Sequence, residues 1–288
     1  MTYAQSELAR DCPICGFEAS YAFTSKHSRK IYRCANSACG HFFTPITKQN
    51  QGMAPRSASA QEESDEYLAF YGERNKMLLS LFKRNLRSRR KPVVFLDFGS
   101  GSGHISRVFK REMGDNALIY CLEADPHYAG IYAKYDLIEV KSIDSVADAL
   151  DLVYMIEVIE HLDDPITVLK SLRSKISTDG ILFLSTPLGR EQEAMTNAFD
   201  DQSHVHFFTP SSLNIALSAA GFQPIEFRLY PEMYVVTTAG GGSSGLLSRL
   251  KALFKGVIFG AGEHLRTEPE AILRPESLSH LAGFTSPK

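Results

Sequence analysis

Val93-Val94-Phe95-Leu96-Asp97-Phe98-Gly99-Ser100-Gly101-Ser102-Gly103 is the stretch that decides the fold. An apolar run from Val93 to Asp97 leads straight into glycines at alternate positions, and the helical segment His104 to Glu112 follows at once. Strand, glycine turn and helix make a nucleotide-type loop. The glycines let the backbone turn tightly and approach a ligand without Cβ obstruction, while the helix start offers unpaired N–H groups. The spacing G-x-G-x-G differs from the dinucleotide fingerprint G-x-G-x-x-G, which argues against a nicotinamide or flavin enzyme.

Outward from this loop, short apolar runs recur at Leu118 to Glu123, Leu137 to Val140, Leu152 to Ile156 and Ile181 to Ser185, with helical segments between them. That alternation predicts an α/β fold with a doubly wound parallel sheet. Asp164-Pro165 and Thr209-Pro210 each set a capping residue before a proline at the first helical position, and Gly221 closes the second helix. Ile225 to Tyr230 and Met233 to Thr238 come late and close together, as an antiparallel pair would. Upstream, Tyr67, Leu68, Tyr71, Leu78, Leu79, Phe82 and Leu86 recur at helical spacing over 62–90, and Pro92 ends that helix.

Glu123 stands at the end of the strand after the loop, 24 residues beyond Gly99, where a carboxylate can accept hydrogen bonds from both ribose hydroxyls. The plainer reading is a glycine turn that only joins strand to helix, with Glu123 a solvated strand end. Asp125 before Pro126 reads as a cap. The segments FLDFGSGSG, CLEADP, DLVYMIEVIEHLDDP, GILFLSTP and SHVHFFTPSSLNIALSAAGF, spread over residues 93–222, resemble the class I S-adenosylmethionine methyltransferases. The likeness is to the branch with ubiquinone-biosynthesis and sugar O-methyltransferases. The resemblance implies a Rossmann-like seven-stranded sheet whose last hairpin inserts an antiparallel strand. It further implies that Asp97, Gly99 and Gly101, in the loop that Gly103 completes, cradle the methionine portion of S-adenosylmethionine. Glu123 would hold its ribose, and Asp144 would lie near the adenine.

Methyl transfer needs an electron pair in line with the sulfonium carbon, so a hydroxyl acceptor benefits from a base or metal that takes its proton. Glu157-Val158-Ile159-Glu160-His161 puts two acids and a histidine at the C-terminal edge of the sheet, where open α/β folds bind ligands. His204-Val205-His206 forms a second cluster, and alternation places both imidazoles on one side of an extended segment. Three readings stay open. His161 or His204 is a general base, Glu157 and Glu160 help the histidines hold a divalent ion such as Mg2+, or the cluster only shapes the pocket.

Cys12-x2-Cys15 and Cys34-x4-Cys39 are two pairs 18 residues apart, each followed by glycine, the spacing of a zinc ribbon. A site of four thiolates has no open position, so its zinc is structural. Cys121, inside a strand, reads as a buried apolar residue. The expected organisation is a ribbon over 1–47, a polar linker over 48–61, the methyltransferase domain over 62–240, and a C-terminal helix and tail over 241–288. Residues 246–259, LLSRLKALFKGVIF, present one apolar and one basic face, which suits packing on the domain, a second subunit or peripheral contact with a membrane.

The 288 residues, 44% apolar, suffice for a sizeable core. Lysine and arginine number 31 against 33 acids, a net charge of −2 that argues against a dedicated nucleic-acid binder. Neither a leader pattern nor an apolar stretch of membrane-spanning length is visible, so the expected location is the cytoplasm. These features point to O-methylation of a sugar or another small hydroxylated acceptor, nucleotide-linked or glycan-linked among the options. An RNA methyltransferase is the enzyme alternative, supported by the basic run FKRNLRSRRK, and a non-catalytic methyltransferase-like binding module is the third reading.

Overall fold

Apolar side chains on both faces of a strand require cover on both faces, and the central sheet meets that demand. A computed structural model of the chain describes residues 10–25, 28–46, 92–146, 149–189, 203–229 and 233–238, the last two strands by their backbone, together with helical positions scattered over 72–83. The linker expected at 48–61 falls outside these residues, as do the amphipathic stretch 246–259 and most of the basic run ending at Lys91.

The N-terminal strands are β1 (Arg10–Asp11), β2 (Glu18–Thr24), β3 (Lys30–Cys34) and β4 (Phe42–Phe43). The parallel strands follow as β5 (Val93–Phe98), β6 (Ala117–Leu122), β7 (Ile138–Val140), β8 (Leu150–Ile156) and β9 (Ile176–Thr186). Then come β10 (His206–Phe207), β11 (Gln223–Leu229) and β12 (Met233–Thr238). The helices are α1 (His104–Met113), α2 (Pro165–Lys175) and α3 (Pro210–Ala219). The large sheet runs β11-β12-β9-β8-β5-β6-β7, with β12 antiparallel to both of its neighbours and the other pairings parallel. This is the Rossmann-like seven-stranded sheet with an inserted antiparallel strand.

Residues alternate cleanly between its faces. Leu96, Val153, Leu182 and Leu184 pack with Leu169 and Leu172 of α2 and Leu213 and Leu217 of α3. Phe95, Leu152, Tyr154 and Phe183 pack on the other side with Phe109 of α1 and with Leu78, Leu79 and Phe82. Aromatic edges lock that second layer, with Phe82 at 5.1 Å from Phe109 and 4.9 Å from Phe183 between ring centroids.

Capping fixes where the helices over the first layer begin. The Asp164 carboxylate accepts from the Thr167 N–H at 3.0 Å. Thr209 and Ser212 form a reciprocal box, the Ser212 N–H donating to the threonine hydroxyl at 3.0 Å and the Thr209 N–H to the serine hydroxyl at 2.9 Å. At the end of α3, Gly221 takes φ +83° and the Phe222 N–H returns to the Leu217 carbonyl at 2.9 Å.

The second sheet joins the N-terminal strands to a strand more than 160 residues further along the sequence, in the order β1-β2-β3-β4-β10. Strand β10 comes from just before α3, and its His206 and Phe207 pair antiparallel with Phe43 and Phe42 of the cysteine-bearing segment. Among the described residues, no helix is long and apolar enough to cross a membrane.

Candidate functional site

The glycine loop sits where β5 ends, and each glycine has its own reason to lack a side chain. Gly99, Gly101 and Gly103 all take positive φ, at 74°, 49° and 75°. A Cβ on Gly99 would lie 2.4 Å from Val158 Cγ2, and one on Gly103 would lie 3.3 Å from the Tyr132 ring. A Cβ on Gly101 would meet nothing within 4 Å, so it would project into open space, as a backbone that receives a ligand requires. The Tyr132 hydroxyl donates to the Gly101 carbonyl at 2.6 Å and lies 2.8 Å from Ser100 Oγ, which fixes the loop from behind.

Glu123 closes the loop from β6. One carboxylate oxygen accepts from the Gly101 N–H at 2.7 Å and the other from the Asp125 N–H at 2.8 Å. A carboxylate oxygen accepts more than one hydrogen bond, so both can still receive a ribose hydroxyl. Asp97 is buried beneath the loop, and its Oδ2 accepts from Ser106 Oγ at 2.7 Å, which is 2.5 Å from the Tyr154 hydroxyl. Burial pushes its carboxyl up to about 7 against the lowering effect of the Ser106 hydroxyl, and the Glu123 charge adds to the rise. Asp125 caps the short turn Pro126–Tyr128 through the His127 N–H. Asp144 is exposed in the turn Ile143–Ser145 after β7.

The acid and histidine segment follows β8 directly. Glu157 takes the left-handed region at φ 54°, uncommon for a residue with a side chain, and accepts the Ser185 hydroxyl at 2.6 Å. Glu160 is 1% exposed, its Oε2 accepting from Thr186 Oγ1 at 2.9 Å. Its Oε1 faces two imidazoles, with His161 Nε2 at 3.9 Å and His204 Nε2 at 4.0 Å. The two rings lie 4.6 Å apart at 60°. His161 Nδ1 is 3.0 Å from the Ser203 carbonyl, which can only accept, so Nδ1 carries the hydrogen and Nε2 of the neutral ring keeps its lone pair toward Glu160.

Glu160, His161 and His204 thus offer three ligand atoms within 4.8 Å of one another; Glu157, expected with them from the sequence, is not of that group, and its carboxylate accepts the Ser185 hydroxyl. One carboxylate and two imidazoles suit a borderline divalent ion better than the oxygen-only shell that magnesium prefers.

His206 goes elsewhere. Its Nδ1 lies 3.1 Å from Nε2 of His41, whose Nδ1 reaches Ser212 Oγ at 3.2 Å. Burial pushes His206 down to about 4 and His41 well below the ordinary imidazole range, so this buried pair is neutral. Alternating residues of one segment thereby serve two partners, His204 the acid cluster and His206 the cysteine-bearing segment.

The four N-terminal thiols converge, with Cys12 Sγ 3.9 Å from Cys39 Sγ, Cys15 Sγ 3.4 Å from Cys34 Sγ, and all within 4.8 Å of one another. A tetrahedral zinc at about 2.3 Å from each thiolate sets sulfurs about 3.8 Å apart, so the residues fit that ion. The hydrogen bond between Cys12 and Cys39 holds Cys12 down at about 5 and pushes Cys39 up, while burial lifts Cys34 to about 12. Only a cation at the centre would keep all four as thiolates.

Sequence reasoning missed Tyr132, Ser106, Tyr154 and His41. Tyr132 lies 31 residues from the carbonyl it holds and His41 lies 165 from His206, separations no local pattern reports.

Residues 70–226, more than half of the chain, match the family model described as "Methyltransferase domain". The chain is 30% identical over 105 residues to a tRNA U34 carboxymethyltransferase of Wolinella succinogenes, covering 35% of this chain and 38% of that protein. It is 25% identical over 166 residues to a ubiquinone biosynthesis O-methyltransferase of Dinoroseobacter shibae, covering 50% and 66%. It therefore spans between about a third and two thirds of the length of these two curated relatives. A structure of the 1,6-didemethyltoxoflavin-N1-methyltransferase of Burkholderia thailandensis, with bound S-adenosylhomocysteine, aligns at 14% identity and a TM-score of 0.44, covering 70% of this chain and 96% of that one.

Proposed function

The chain belongs to the methyltransferase-domain family, and from that premise we propose that it transfers a methyl group from S-adenosylmethionine to a hydroxyl of a sugar or another small hydroxylated acceptor. When bound, the cofactor supplies the electrophilic methyl on its sulfonium. Gly101 offers the backbone approach and Glu123 the ribose acceptors. The proposal rests on one contact above all: Gly99 packs directly on Val158, which puts the cofactor loop against the segment bearing Glu157, Glu160 and His161.

On this reading the acceptor hydroxyl lies at the imidazoles. Nε2 of His161 or His204 takes its proton as the oxygen attacks, and Glu160 stabilises the imidazolium that forms. The Ser203 carbonyl keeps His161 in the tautomer that can accept. The grouping of three donor atoms within 4.8 Å favours a second reading, in which Glu160, His161 and His204 hold a divalent cation that polarises the acceptor oxygen. Oxygen rather than nitrogen as acceptor is supported by the O-methyltransferase relative, matched over half of this chain.

The test is methyl transfer from labelled S-adenosylmethionine, screened against nucleotide sugars, glycans and RNA. Label on a sugar hydroxyl is expected. Label on RNA, with binding that weakens steeply in salt, would replace this reading with the RNA alternative.

A further inference from the structure

The segment carrying His204 is built from two directions. From the methyltransferase side, His161 Nδ1 donates to the Ser203 carbonyl at 3.0 Å and the Val205 N–H donates to the Glu160 carbonyl at 2.8 Å. From the cysteine ribbon, Arg29 Nη2 donates to the His204 carbonyl, and the Thr44 N–H donates to the Val205 carbonyl at 3.1 Å. One residue further on, β4 pairs with β10 and His41 meets His206 at 3.1 Å. The Arg29 guanidinium also lies 5.8 Å from the Phe207 ring centroid. The cluster end of the ribbon is tied in as well, since Thr209 Oγ1 donates to the Cys39 carbonyl at 2.8 Å while capping α3.

We infer that the ribbon is a positioning element of the transfer site, with Arg29, His41 and Thr44 holding residues 203–207 so that the His204 imidazole stays against Glu160. The inference rests on the reading of Glu160, His161 and His204 given above.

A strand of two residues has no stability of its own, so β10 depends for its path on its pairing with β4 as well as on the bonds from Glu160 and Gly189. His204 lies just before β10, so the direction of its side chain depends on the bonds that Arg29 and Thr44 make to its own carbonyl and to that of Val205. Val205 is fully buried between the two histidines, so the segment cannot rotate without exposing it. A displacement of about 1 Å at a catalytic group costs on the order of a hundredfold in rate, so bonds that only hold the backbone can govern turnover. Zinc, by ordering the knuckles that carry His41 and the start of β4, would set this geometry from a distance.

The experiment uses the full chain, zinc-loaded, with ¹³C-labelled histidine, and reads the imidazole resonances of His161 and His204 beside calorimetry with S-adenosylhomocysteine. Arg29→Ala alters one partly exposed side chain. Both ring signals are expected to move, S-adenosylhomocysteine affinity to stay within about twofold, and transfer to fall roughly tenfold to a hundredfold. Arg29→Lys, which keeps the charge and one donor nitrogen but not the planar fork, should give intermediate shifts. Ring signals unmoved in both variants, with only thermal stability lowered, would overturn the inference and leave the ribbon a stabilising attachment. The site reading fails separately, if His161→Ala and His204→Ala both transfer methyl normally, whatever Arg29→Ala does to the resonances.

Discussion

Gly99 and Val158 are packed so closely that a single added carbon on the glycine would lie 2.4 Å from the valine Cγ2. This contact joins the loop after β5 to the segment after β8, the two pieces of backbone between which cofactor and acceptor would meet.

Gly99→Ala should therefore destabilise the protein by about 1–3 kcal/mol through overpacking, with a further cost of about 1 kcal/mol for a side chain at positive φ. Adding Val158→Ala should recover the overpacking part and leave the rest. Thermal unfolding of the two single variants and the double variant measures the coupling, and simple additivity would show that the contact is not tight.

Gly101 behaves differently, because its missing Cβ faces open space. Gly101→Val should cost the fold about 1–2 kcal/mol, for a β-branched side chain at φ 49° and not for overpacking, and should sharply weaken binding of S-adenosylhomocysteine. Glu123→Ala removes the acceptor of the Gly101 and Asp125 N–H groups and of the ribose hydroxyls, so its expected loss is roughly tenfold to a hundredfold, from about 1.5–3 kcal/mol for a charged hydrogen bond. Calorimetry decides both, and unaltered affinity in the pair would move the cofactor elsewhere.

Asp97 should write a pH dependence into stability. Its folded carboxyl is raised to about 7 from 3.8, chiefly by burial, so between these values the folded chain binds more protons than the unfolded chain. Stability contributed by this group is full below about pH 4, falls as pH rises toward 7 by up to about 1.4 kcal/mol per pH unit, and is level beyond. Asp97→Asn, which can still accept the Ser106 hydroxyl, should lose that slope. Denaturant titrations of the two proteins at pH 4.5, 6 and 7.5 give the difference; parallel curves would mean that the carboxyl titrates normally.

One zinc per chain is expected on metal analysis, lost in Cys34→Ser together with much of the ribbon's order. Zinc retained in full by that variant would show that the four thiols are not its ligands.

The strands of the large sheet were legible because apolar runs between glycines and capped helices leave little choice. Their ends were less so. Strand β8 starts at Leu150 rather than Leu152 because the Asp151 carboxylate accepts the Val94 N–H at 2.8 Å, which lets a charged residue lie buried in a strand. The Ile176–Gly180 start of β9 reads as polar and still pairs through Ile176 and Leu150 across an irregular register. The cysteine spacing announces the metal site because its ligands are local in pairs. Nothing local announces β4 with β10, two residues each, or His41 with His206, since those contacts exist only once the fold has closed.

The most direct measurement is single-turnover methyl transfer to the acceptor found by screening, at saturating S-adenosylmethionine, in the wild-type chain, His161→Ala, His204→Ala and the double variant. With cofactor affinity unchanged, the double variant should lose at least about a hundredfold, the usual contribution of a positioned acid or base. Chelation of the wild-type chain, followed by one equivalent of zinc to refill the four thiols and then by manganese, separates an imidazole base, whose rate returns with the zinc alone, from a bound ion, whose rate returns only with the manganese. Transfer at the wild-type rate by the double variant would contradict the assignment and return Glu160 and its two histidines to a role in packing.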